Sequence, residues 1–184
     1  MSPLSKILEK VIFNQLYGYF TRNRILSSNI HGYRENRSTL TALLQLYDKW
    51  VHAASEGKLS GAIFIDLSAA FDLVPPQILI EKLKIYGIKE DFLKWIKSYL
   101  SGRRQSVWID HTFSSYMPCE VGVPQGSILG PLLFLLYIND LPNFLIKSTP
   151  ILFADDTTVV KSGTDIKDLY RDMNNELYNI GQWC

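Results

Sequence analysis

The chain holds only two cysteines, Cys119 and Cys184, and they fall in no spaced framework. Their scarcity excludes a disulfide scaffold and a thiolate metal site, and points to free thiols in a reducing compartment. Long hydrophobic runs are also missing: the longest, Leu132 to Ile138, is far short of the roughly 20 residues of a membrane span. The start lacks the basic-then-apolar profile of a secretory signal, which predicts an intracellular setting, cytoplasmic or nuclear, away from the membrane. Charge of one sign is scarce as well. A net charge of +1 excludes a chain that is basic throughout, although balance of signs leaves room for local basic strips. No internal repeat or low-complexity tract interrupts the sequence. What remains is ordinary globular composition, 47% apolar and 20% charged over 184 residues, enough for one domain with a real core or for part of a larger one.

Ile151 to Val160 organises the chain: two apolar, β-prone arms flank Asp155 and Asp156. The pattern predicts a tight hairpin with both carboxylates at its tip, in a turn that relies on Asp tolerating left-handed backbone. Adjacent carboxylates repel, and a fold that keeps both charged needs a neighbouring cation, for which a hard divalent metal is the natural candidate. The plainer alternative is an exposed turn whose acids solvate the corner. A second acidic strand end favours the metal. Gly61 to Leu67 reads as a strand buried on both faces with Asp66 near its end, and placing Asp66 beside Asp155 gives one site for two metal ions.

These residues resemble a known family. Phe153-Ala154-Asp155-Asp156, with Phe64 to Asp72 before it and Val123 to Pro131 between, is similar to the reverse transcriptase domain of non-LTR retrotransposons. His31 to Thr39 resembles that family's fingers motif, so four motifs occur in the family's order. The resemblance implies an α+β right-hand polymerase palm, an antiparallel sheet packed on helices, with residues 1–60 as partial fingers and 61–184 as palm. The family's following Lys-bearing strand and thumb are expected to be absent. It implies an RNA-directed DNA polymerase that transfers nucleotides from deoxynucleoside triphosphates to a primer 3'-hydroxyl, with an RNA template and a DNA primer as partners. Asp66, Asp155 and Asp156 are then the catalytic acids. Together with the backbone carbonyl of Leu67 they hold two Mg2+ ions, with Mn2+ as a substitute. Phe71 packs beneath the sugar and rejects a 2'-hydroxyl, Gln125 and Gly126 border the nucleotide and template base, and Arg34 contacts template or nucleotide. By its residue type alone Phe71 also reads as a core aromatic, and the Arg34 stretch as a solvated loop.

Elsewhere the pattern predicts a helix from Pro3 to Tyr19, capped by Ser2, with Leu4, Ile7, Leu8, Val11, Ile12 and Leu16 packed inward. An irregular polar stretch follows, then a helix from Leu40 to Glu56 with Leu40, Leu43, Leu44, Tyr47 and Val51 inward. His52 on that helix reads as a surface residue, since no His or Cys sits at ligand spacing from it. Asp72 reads as a turn or cap residue, not a ligand. Short helices are expected over 76–86 and 90–100, a strand near Arg103 to Ile109 turning at Asp110-His111, and a Thr164-capped final helix.

Three other readings compete. An RNA-synthesising polymerase shares the acids, but Phe71 argues against it. A catalytically incomplete relic acting as a nucleic-acid-binding or interaction module is the alternative from another class. A two-metal nuclease leaves Phe71, Gln125 and Gly126 without a role.

Overall fold

The computed structural model describes residues 3–184, so the expected Ser2 cap lies outside the described residues. Among the described residues six α-helices, a 3-10 turn at Leu141–Phe144 and seven strands occur: α1 Pro3–Arg22, α2 Thr39–Ser55, β1 Leu59–Asp66, α3 Pro76–Ile85, α4 Glu90–Leu100, β2 Arg103–Gln105, β3 Trp108–Ile109, β4 Thr112–Phe113, β5 Met117–Cys119, α5 Gly130–Ile138, β6 Thr149–Phe153, β7 Asp156–Gly163 and α6 Ile166–Trp183. They form two compact units, one of residues up to 19 with 69–137, the other of 20–68 with 138–184. All sheets are antiparallel, and among the described residues no helix is long and apolar enough to cross a membrane.

The second unit is built on a three-stranded sheet in the order β1-β7-β6. Alternation along the strands gives it two faces. One face packs on α2 through Leu46, Ile151 and Val160, with Ala42 beside them. The other meets α6, where an added Cβ on Gly61 would lie 2.2 Å from the Met173 sulfur. Segment 29–32 runs alongside β6, with Leu152 donating its N–H to Asn29 and His31 donating to Leu152.

Several expected burial patterns are corrected here. β1 is not buried on both faces: it is an edge strand that α2 and α6 cover only in part, and Phe64 and Asp66 near its end are exposed. On α2 the expected inward set, Leu40, Leu43, Leu44, Tyr47 and Val51, is exposed, and Leu46 and Ala53 are buried instead. That helix carries apolar residues on every side, so periodicity does not choose a face; the sheet selects the one where small Ala42 and Ala53 allow close approach. α6 buries Asp172 and Glu176 between Leu169 and Ile180. Both acids have partners: Asp172 binds Lys147 and Lys161, and Glu176 accepts from the N–H groups of Ile146 and Lys147. The cap of α6 is Asp165, not Thr164, with Oδ1 accepting from Lys167 and Asp168.

In the first unit α3 and α4 pack side by side through Leu79, Leu83, Leu93, Ile96 and Leu100, as their spacing predicts. The strand expected from Arg103 to Ile109 is interrupted: β2 pairs with β5, and β3 with β4 around the Asp110-His111 turn. α5 is apolar all round and Leu132, Leu133, Phe134, Leu135 and Leu136 are buried. At ~1.5–3 kcal/mol for each such side chain removed from water, this helix is a pillar of its unit. α1 departs from expectation, since Leu4, Ile7, Leu8 and Val11 are exposed while Glu9 is only 3% exposed. Its carboxylate is satisfied, with Oε1 accepting from the Tyr99 hydroxyl at 3.0 Å and Oε2 from the Ile128 N–H at 2.7 Å.

Candidate active site

The acids of the second unit lie where β1 and β7 end. β7 turns back from β6 through Ala154-Asp155, and the last ladder pairs are Phe153 with Asp156 on one side and Asp66 with Asp156 on the other. Register therefore sets Asp156 directly opposite Asp66, and Asp155 occupies the adjoining turn. The left-handed residue of that turn is Ala154, at φ 56°, and not an Asp. An alanine in this region is strained, and such strain persists only where its surroundings enforce it. The enforcing contact is visible: a Cβ on Gly32 would come within 2.3 Å of the Ala154 nitrogen. Bare backbone at Gly32 lets the 29–32 segment press against the turn.

His31 braces that segment. It is buried, with Nδ1 2.8 Å from the Thr41 hydroxyl and Nε2 2.7 Å from Gln45 Oε1 on α2. Burial pushes its pKa below the usual imidazole value, opposed by the bond to Gln45, with Arg37 and Arg34 adding to the depression. Tyr33 sits near the acids: burial first, then the charge of Asp155, raises its phenol above the ordinary range. Arg34, expected on template or nucleotide, has Nη1 donating to the carbonyls of Ser27 and Ile30, so at least part of its guanidinium shapes the loop.

Asp66 and Asp156 are exposed and line an open recess of about 380 Å³ with Phe64 and Thr158. Like charges directly opposed across a ladder destabilise it, and among the described residues none of the three acids is ion-paired. A hard cation with oxygen ligands fits this pair. Among the described residues no group of three or more His, Cys, Asp or Glu side chains is placed to hold a metal ion.

In the first unit the Gly122 to Gly130 loop is sewn to the residues after β1. Val123 donates its N–H to the Phe71 carbonyl at 2.8 Å and Gly122 donates to Val74 at 2.8 Å. Gly122, at φ +83°, approaches so closely that a Cβ would lie 2.6 Å from the Asp72 carbonyl oxygen. Phe71 is half-buried and stacked on Phe134, centroids 4.4 Å apart. Gln125 and Gly126 are exposed, and Gly126 has open space where a side chain would be. Ser127 closes the loop, its Oγ accepting from the Gly130 N–H and donating to the Pro124 carbonyl.

Sequence reasoning missed the supporting roles of four residues. Asp72 is a turn residue as expected, its N–H bonded to Ala69, but its carboxylate also holds Gln125. Glu9 carried no signal except a lone acid within an apolar stripe. The bracing role of His31-Gly32 had only the motif to announce it.

The comparisons agree with this geometry. The profile of the Reverse transcriptase (RNA-dependent DNA polymerase) family matches residues 1–183. A probable RNA-directed DNA polymerase from transposon BS of Drosophila melanogaster is 32% identical over 197 aligned positions, covering 100% of this chain and 21% of the relative. The RNA-directed DNA polymerase from mobile element jockey of Drosophila funebris is 29% identical, again across 100% of this chain and 21% of the relative. The chain thus spans about a fifth of the length of the curated relatives it matches. Among solved structures, telomerase from Candida albicans, in complex with a fragment of telomeric RNA, shares the fold at TM-score 0.59 and 15% identity, over 96% of this chain and 32% of that one. With the acids, the hairpin and the Gln-Gly loop on recognisable elements, the chain belongs to the reverse transcriptase family.

Proposed function

We propose that this chain is the catalytic core of a retrotransposon RNA-directed DNA polymerase, with residues 1–60 contributing to fingers and 61–184 to the palm. The observation that carries the reading is the opposition of Asp66 and Asp156 at the strand ends, with Asp155 in the strained turn beside them. Asp66, Asp155 and Asp156, with the Leu67 carbonyl, are the groups that would hold two Mg2+ ions, or Mn2+ in their place. When bound, such ions lower the pKa of a primer 3'-hydroxyl and stabilise the leaving pyrophosphate. The chain's own contribution is to present anionic oxygens from a rigid ladder end, so that little reorganisation is left to the reaction.

Phe71 acts as the barrier to a ribose 2'-hydroxyl. Stacking on Phe134 supports this role, because a ring packed on one face cannot swing aside. Gln125 and Gly126 border the deoxynucleoside triphosphate and template base, and the open space at Gly126 allows close approach to backbone. Arg34 contributes by fixing the loop that carries Tyr33, and any remaining donors of its guanidinium serve the RNA template or nucleotide.

Primer extension on an RNA template, by the protein expressed with whatever flanking sequence its reading frame supplies, tests this. Asp155→Asn should lower extension by at least about 1,000-fold, since the loss falls on transition-state charge stabilisation, with an unchanged melting temperature. Extension at the unmutated rate would refute the assignment.

A further inference from the structure

Within the first unit one contact links a residue without an assigned role to one of the nucleotide-binding candidates. Gln125 Nε2 lies 2.8 Å from Oδ1 and 2.9 Å from Oδ2 of Asp72, donating to the carboxylate. The two positions are 53 residues apart in sequence and are brought together by the backbone bonds from Val123 to Phe71 and from Gly122 to Val74. Both side chains line an open recess of about 800 Å³, together with Arg103, Arg104 and Gln105.

The chemistry of this contact fixes a direction. An amide has a donating end and an accepting end, and an ionised carboxylate only accepts. The Gln125 NH2 must therefore face Asp72, because the opposite flip would set Oε1 against carboxylate lone pairs. Oε1 is left as the end that points to a ligand. Without Asp72 the amide is free to flip and present either end.

We propose that Asp72 is a positioning residue for nucleotide selection: it locks Gln125 so that the amide oxygen faces the incoming deoxynucleotide as an acceptor for a hydroxyl or amino donor. This rests on the reading that Gln125 borders the nucleotide. Asp72 touches no substrate itself and acts through Gln125. Both residues are exposed, so the contact adds little to folding and its loss should appear in KM.

The test is a double-mutant cycle read by steady-state primer extension, with KM for the deoxynucleotide and kcat measured separately for Asp72→Ala, Gln125→Ala and the pair. Asp72→Ala should raise KM about 5–10-fold, the size of one oriented hydrogen bond, with kcat changed less. In the Gln125→Ala background it should add nothing. Asp72→Asn keeps the volume but can donate as well as accept, so it no longer fixes the flip of Gln125; it should raise KM in the same direction as Asp72→Ala and serves as the informative variant if Asp72→Ala does not fold. If Gln125→Ala raises KM while Asp72→Ala leaves it unchanged, or multiplies it independently in the double variant, the positioning role is wrong and the nucleotide assignment stands. If Gln125→Ala leaves KM unchanged, that assignment falls and the proposal with it.

Discussion

The turn carrying Asp155 and the loop carrying Gln125 are held by different means. The turn is fixed by main chain: ladder pairs on both sides of β7, a parallel segment at 29–32, and a glycine pressed on the Ala154 nitrogen. The loop is also tied by backbone bonds, but its defining contacts are carboxylates from elsewhere. Glu9 accepts from the Ile128 N–H on one side of Gly126, and Asp72 holds the Gln125 amide on the other. A main-chain fastening is insensitive to charge and intolerant of added volume. A carboxylate fastening is the reverse, tolerant of small changes of shape and sensitive to loss of an acceptor. The two regions should therefore fail under different substitutions.

The strongest expected break is at Gly32. A methyl group there meets backbone at 2.3 Å, which cannot rotate away as a flexible side chain would. Gly32→Ala should cost about 2–3 kcal/mol in urea unfolding and, where the chain stays folded, reduce extension by ~100-fold through displacement of the acids. Unchanged stability together with unchanged extension would show that the turn does not depend on this contact.

A smaller effect should follow at Glu9. Glu9→Gln keeps the length of the side chain but leaves one acceptor oxygen; if that oxygen keeps the Ile128 N–H, the new NH2 faces Tyr99, whose hydroxyl must turn its proton away to accept, and a charge-assisted bond is lost. The expected loss is ~1–2 kcal/mol in thermal or urea unfolding. Burial, as the main cause, lifts the Tyr99 phenol to about 12, and Glu9 contributes to that rise. A titration of the variant that leaves Tyr99 in place would argue that the acid does not anchor the loop.

How far each region was legible in the sequence follows from the same contrast. The hairpin, the Asp66 strand, α3 and α4 are local patterns of alternation, helical spacing and capping, and they stand where the residues predict. Which residue sits opposite Asp66 in the ladder was not legible, because the register depends on which turn residue takes the left-handed conformation, here Ala154. Burial was legible only where one helix face alone is apolar. On α2 several faces qualify, and on α6 the buried Asp172 and Glu176 interrupt the apolar stripe because their partners are Lys147, Lys161 and backbone groups supplied by another part of the chain. Glu9 and Asp72 were invisible as anchors for a similar reason, since each finds its partner 119 or 53 residues away.

The mildest expected effect is a dependence on pH that belongs to the turn and not to the loop. Burial holds His31 below its ordinary pKa of 6.5, and Arg37 and Arg34 add to this, so the folded protein keeps the ring neutral where the unfolded chain begins to bind a proton. Stability falls with decreasing pH wherever the unfolded state binds more protons than the folded one. The contribution of His31 is therefore complete above about pH 6.5 and is lost as pH drops through the lowered folded value. Protonation would place a charge on a buried ring beside Arg37 and Arg34, which loosens the 29–32 segment behind the acids. Stability measured by urea unfolding should slope downward from pH 7 to pH 5, and His31→Gln, which cannot titrate, should be less stable at pH 7 yet flatten that slope. An equal slope in both proteins would move the pH response away from His31 and leave the turn held by its backbone contacts alone.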